Sequence, residues 1–222
     1  MTKVLKKVVE NNSQLCYIIR EVDNKSQLQR RELMGKEKLD FLLAQHCAPT
    51  LAGLKAASMV ALPGKSMKEL GDFFQSYDQC FACKGLKVME LRQQKEHVLL
   101  LIYRPVVLAR LLRRPLAREI LQECGYPEQA SLEELLAFLR QRMQAGEGFP
   151  HEIGLFLGYP PGDVAGFIKY KGQKFRHCGF WKVYDNEKAV RRLFQCYDNC
   201  IRQACQGLEN GISLQAMIHK AA

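Results

Sequence analysis

The sequence has 222 residues, 47% of them hydrophobic and 25% charged, with a formal net charge of +10. This length allows one sizeable core, and the composition excludes global disorder. No apolar run approaches the ~18–20 residues that cross a bilayer, and no apolar h-region follows Lys3, Lys6 and Lys7, so neither a membrane span nor a signal peptide is expected.

In chain order, residues 1–35 read as a polar appendage with scattered apolar pairs and no sustained period. Leu39, Leu42 and Leu43 then share one face of a helix over Lys36–His46, which Pro49 is expected to break or restart. Ala57–Leu62 reads as a short strand stopped by Pro63-Gly64. Ser66 and Glu69 form a capping box for a helix running to about Cys83, with Gly85 as its stop. Leu86–Arg92 and His97–Tyr103 read as a hairpin. A helical stretch from Pro105 to Gly125 restarts at Pro115, and Ser131 with Glu134 caps the next helix. The apolar Ile153–Leu157 reads as a buried strand, and Pro160-Pro161 opens a helix through Ile168. Lys174–His177 and Phe180–Tyr184 are expected to pair as strands. Asn186 caps a long helix to about Gln206, and a short helix starts at Ser213. This alternation predicts an α/β fold of the α+β type. It would be one compact domain over residues 36–222, with a mixed sheet of about five or six strands flanked by helices.

Nine cysteines in a chain this large, with no secretion signal, read as reduced thiols in the cytoplasm rather than a disulfide framework. The basic residues concentrate in two places. Arg104–Arg118 holds five arginines and no acid, and Arg110, Arg114 and Arg118 recur as a solvated helix face. Lys169–Arg192 holds eight basic residues against Asp185 and Glu187, interleaved with Tyr170, Phe175, Phe180, Trp181 and Tyr184. That mixture suits single-stranded nucleic acid, and it equally fits a half-buried hairpin with its lysines outside.

Two dense clusters of unusual residues are Gln45-His46-Cys47-Ala48-Pro49-Thr50-Leu51-Ala52-Gly53 and the segment from Phe149-Pro150-His151-Glu152 to Gly158-Tyr159-Pro160. With Gly166-Phe167-Ile168 and Gly179-Phe180-Trp181-Lys182-Val183-Tyr184, they resemble the signature blocks of a bacterial family, domain of unknown function 3793 (DUF3793), found mainly in anaerobic Firmicutes. The resemblance runs from about Lys36 to the C-terminus. It implies a fold unit and a lineage, and it carries no activity, cofactor or catalytic residue.

Read from the residues themselves, Cys47 and His151 are the minimal thiol-nucleophile pair: the imidazole takes the proton and the thiolate attacks. Gln45 could donate to an oxyanion, and Glu152 or Asp163 could orient the histidine. Arg104 at the end of a strand could grip a carboxylate or phosphate, or else cap neighbouring carbonyls. The leading expectation is therefore a small-ligand-binding domain or thiol-dependent enzyme. Its pocket would lie where the Cys47 turn meets the His151 segment, lined by Gln45, Thr50, Arg104, Glu152, Tyr159 and Trp181. A second expectation is a zinc or iron site built on Cys80 and Cys83, with further ligands from His177, Cys178, Cys196 and Cys200. Cys196 and Cys200, four apart, share a helix face. A third is a module that binds RNA, single-stranded DNA or an acidic partner through Lys169–Arg192.

Overall fold

The computed structural model describes residues 36–63, 68, 70–93, 97–145 and 149–220. The expected appendage over residues 1–35 lies outside them, as do Ser66 and Glu69. The described residues divide into two compact units: a sheet unit within residues 36–110 and 195–220, and a helical unit within residues 111–194. No helix among the described residues is long and apolar enough to cross a membrane.

The sheet unit begins with α1 (Lys36–Leu51). Proline lacks the N–H that an interior turn needs, yet Pro49 lies inside the last turn of this helix, which ends two residues later. Gly53 then takes a left-handed φ of 83°, and the Leu54 and Lys55 amides fold back onto the Pro49 carbonyl. Strand β1 (Ala57–Pro63) follows, then the short helices α2 (Gly71–Gln75) and α3 (Asp78–Cys83). The single helix expected here is split, with the Ser76 hydroxyl bonding back to the Phe73 carbonyl at 2.6 Å. The predicted hairpin is present as β2 (Lys87–Gln93) and β3 (His97–Tyr103). The sheet order is β1-β3-β2, antiparallel throughout, with a register shift between Glu90 and Arg92.

Period-two alternation puts Val98, Leu100 and Ile102 on one face of the central strand. They join Val60 and Leu62 of β1 and Leu43, Cys47 and Leu51 of α1 in the core. Phe73, Phe74, Tyr77 and Phe81 extend it as a run of ring contacts with centroids 5.2–6.5 Å apart. The Tyr77 hydroxyl donates to Asp40 at 2.5 Å, satisfying both buried groups. α4 (Pro105–Leu112) leads out of the sheet unit, and the chain returns to it along the second half of α9 (Glu187–Glu209) and α10 (Leu214–Lys220).

The helical unit holds α5 (Pro115–Glu123), α6 (Leu132–Gln144), α7 (Ile153–Phe156), α8 (Pro161–Tyr170) and the first turns of α9. Pro115 and Pro161 sit at the first helical position, where a missing N–H costs nothing. Ser131 and Glu134 make both bonds of the predicted capping box. A two-residue hairpin, β4 (His177–Cys178) with β5 (Lys182–Val183), completes the unit.

Two expectations are corrected. Among the described residues the sheet has three strands, all antiparallel, beside a separate two-stranded hairpin, where a mixed sheet of five or six was predicted. Ile153–Leu157 is a short helix with its turn, because a fully buried apolar run has no period to tell strand from helix. The 174–184 segment pairs over only two residues per strand, and beyond Val183 the Tyr184 and Asp185 amides both donate to the Asp163 side chain.

Candidate functional site

The predicted site residues fall into both units. Gln45, Cys47, Thr50, Arg104, Cys80, Cys83, Cys196 and Cys200 belong to the sheet unit, and His151, Glu152, Tyr159, Cys178 and Trp181 to the helical unit. Cys47 and His151 are thus held by different units.

Within the sheet unit, Cys47 is fully buried, and that burial pushes its thiol up to about 12. Burial alone takes the neighbouring His46 down to about 4. It also lowers Lys55, which interacts electrostatically with Cys47, to about 8. The Thr50 and Ser58 hydroxyls bond each other at 2.8 Å. Arg104 caps carbonyls: its Nε donates to Thr50, Nη2 to Leu51 and Nη1 to Lys84, at 2.7–2.9 Å. One guanidinium therefore ties the C-terminal ends of α1 and α3 to the end of β3, where its charge also complements both helix dipoles.

Cys80 is buried with its sulfur 3.9 Å from the Gln215 carbonyl, whereas Cys83, Cys178 and Cys196 are exposed and Cys200 is half-buried. Among the described residues, no three His, Cys, Asp or Glu side chains gather where they could hold a metal ion.

In the helical unit, the exposed His151 sets its ring edge against Phe167, 5.1 Å between centroids. Glu152 is 2% exposed and accepts from Arg142 Nε at 2.7 Å and the Tyr126 hydroxyl at 3.1 Å. Burial and then the Glu152 charge push the Cys124 thiol up to about 11.

The densest polar and aromatic assembly lies at the C-terminal end of this unit. Asp163, in the first turn of α8 and 2% exposed, accepts three bonds. Trp181 Nε1 donates to one oxygen at 2.7 Å, and the Tyr184 and Asp185 amides donate to the other at 2.7 and 3.1 Å. Trp181 stacks on Tyr159 at 4.6 Å and meets Phe194 edge-on at 4.5 Å. Gly166 leaves room for the Tyr184 ring, and Gly179 for Phe194.

This framework displays residues 169–182, which contain five basic residues and no acid. α8 ends at Tyr170, and three of the next four residues have left-handed backbones: Lys171 (φ 50°), Gly172 (74°) and Lys174 (57°). The Lys169 and Lys174 ammonium groups lie 5.4 and 5.5 Å from the Tyr170 ring centroid. Lys182 donates to the Gly172 carbonyl at 2.7 Å and sits 4.7 Å from the Phe175 ring centroid. Phe175 is 41% exposed. Tyr184 stacks on Tyr170 at 5.9 Å, and its buried hydroxyl finds no hydrogen-bond partner among the described residues.

Sequence reasoning noted the lysines and aromatic rings of this surface. It missed Asp163 as the anchor, Lys55 beside Cys47, and the left-handed lysines, for which Lys171-Gly172 after an apolar helix was the one available signal.

Residues 43–218 match the family described as Protein of unknown function (DUF3793). No curated protein and no solved structure matches the chain.

Proposed function

The chain belongs to the DUF3793 family, and from its own residues we propose that it is a module that binds single-stranded nucleic acid through residues 169–182. The observation that carries this reading is the pair of lysines in left-handed backbone, Lys171 and Lys174. A side chain there costs roughly 1 kcal/mol that glycine avoids. Lysine at both positions is a sacrifice of stability that keeps two cations on the surface, and local strain of this kind gathers at functional sites.

The aromatic rings choose among anionic polymers. An exposed ring such as Phe175 offers a face on which an unpaired base can stack. Duplex bases are already stacked on one another. Lysines around the rings supply the phosphate attraction, which is salt-dependent.

The test is fluorescence anisotropy with a labelled short oligouridylate across a salt series. Binding should weaken steeply with salt, and Phe175→Ala should weaken it by roughly 5- to 150-fold, the worth of one stacked base. Lys171→Gly and Lys174→Gly should each lower the salt slope by about 0.7 while raising the melting temperature. Salt-insensitive binding, or an affinity that Phe175→Ala leaves unchanged, would refute the reading.

A second reading places a small-ligand or thiol-dependent function at the turn after α1. It is supported by the complete burial of the Cys47 thiol, with the charge of Lys55 close enough to act on it. Without a ligand, Cys47 should resist iodoacetamide at neutral pH in the folded protein, while Cys83, Cys178 and Cys196 react. Mass spectrometry of the alkylated peptides reads this directly. A small molecule that changes Cys47 labelling would revive the site, and prompt labelling of Cys47 in the free protein would contradict its burial.

A further inference from the structure

We propose that the Tyr184 hydroxyl is the group with which this surface reads a base, reached when the base takes the place of the Tyr170 ring. The inference rests on the single-strand reading above and names the residue that would give it selectivity.

The starting point is a polar atom without a partner. The Tyr184 oxygen is buried, and no described residue accepts from it or donates to it. A buried hydroxyl in that state lowers stability, and phenylalanine would fill the same space without that penalty. Packing therefore accounts for the ring and leaves the oxygen unexplained. The ring itself is closely seated. A Cβ at Gly166 would lie 2.5 Å from its Cγ, and the residue's amide is held by Asp163.

The second observation is what lies against the Tyr184 ring. Tyr170 stacks on Tyr184 with planes 20° apart, and Tyr170 is the last residue of α8, next to the left-handed Lys171 and Gly172. The end of a helix is where local opening costs least. The ring that replaces Tyr170 must be flat, able to stack, and drawn to the positive charge of Lys169 and Lys174. A nucleotide base carrying its phosphate meets all three conditions, and it adds a polar edge that a tyrosine ring does not present at that position. Burial first, then Asp163 and Cys178, push the Tyr184 phenol up to about 12. It therefore keeps its proton and can both donate and accept.

The test uses the full chain and two probes: a labelled oligouridylate, and an abasic oligodeoxynucleotide of equal length. Tyr184→Phe should bind oligouridylate roughly tenfold more weakly, the upper range for one neutral hydrogen bond. Its binding to the abasic strand should be unchanged, and it should melt at or above the wild-type temperature. Unaltered oligouridylate binding by Tyr184→Phe would overturn the inference while leaving the nucleic-acid reading in place. A clearly lower melting temperature would also overturn it, because the hydroxyl would then serve the fold. If the wild-type chain binds neither probe, the underlying reading fails and takes the inference with it.

Discussion

Replacing Asp163 with alanine is expected to destabilise the protein by about 4 kcal/mol, since hydrogen bonds to a charged group are each worth ~1.5–3 kcal/mol and three are lost at once. The estimate sits below a simple sum because the three donors share one carboxylate and do not act independently. Two of them are backbone amides in the segment leading to α9, and the third is the indole of the sole tryptophan. The loss would be a large part of the ~5–15 kcal/mol that holds a typical domain folded. Urea denaturation followed through Trp181 emission checks both stability and the indole's surroundings in one experiment. Asp163→Asn should fall between the two, because an amide can keep the backbone donors on its oxygen but turns an N–H toward the indole N–H. A midpoint shift in Asp163→Ala worth less than about 1 kcal/mol would mean that other contacts hold the 181–185 segment.

The second large effect is expected at Gly166. An alanine methyl would stand 2.5 Å from Tyr184 Cγ and 2.7 Å from its Cβ, inside any tolerable contact. The ring cannot simply withdraw, because the Tyr184 amide is fixed to Asp163. Overpacking of this kind costs ~1–3 kcal/mol, offset by up to ~1 kcal/mol of helix propensity, so Gly166→Ala should lose about 1–2 kcal/mol. It should also separate Tyr184 from Tyr170 and weaken oligonucleotide binding. Gly162, in the same helix, provides the control, since a Cβ there meets nothing within 4 Å. Gly162→Ala should therefore leave stability equal or slightly raised. Thermal melts of the two variants side by side decide the matter, and equal melting temperatures would remove Tyr184 from the account.

What could be read from the sequence was what is settled by neighbours along the chain. The β2–β3 hairpin, the Ser131–Glu134 capping box and the proline starts of α5 and α8 are local chemistry, and the structure has all of them. Ile153–Leu157 failed for the opposite reason: it is buried on all sides, so its pattern holds no direction toward a core. The sheet was overcounted because Ile153–Leu157 is helical and the 174–184 strands pair with each other in a separate hairpin. For the site, composition pointed to the Lys169–Arg192 stretch. It could not show that Lys171 and Lys174 have left-handed backbones, which depends on how α8 ends. Nor could it show that Arg104 spends its nitrogens on three carbonyls, two of them more than fifty residues away in sequence.

The three-stranded sheet has one more consequence, for behaviour at high concentration. Among the described residues, β1 and β2 each pair on one side only, so each leaves a rim where another chain could add a strand. Both rims are blunted. Pro63 ends β1 with a residue that has no N–H to offer a newcomer. β2 is irregular between Glu90 and Arg92 and begins with an exposed lysine, Lys87, so an incoming strand would meet a kink and fixed charge. The sheet is thereby built to stay at three strands, and the chain should resist fibrillar self-association as long as it remains folded.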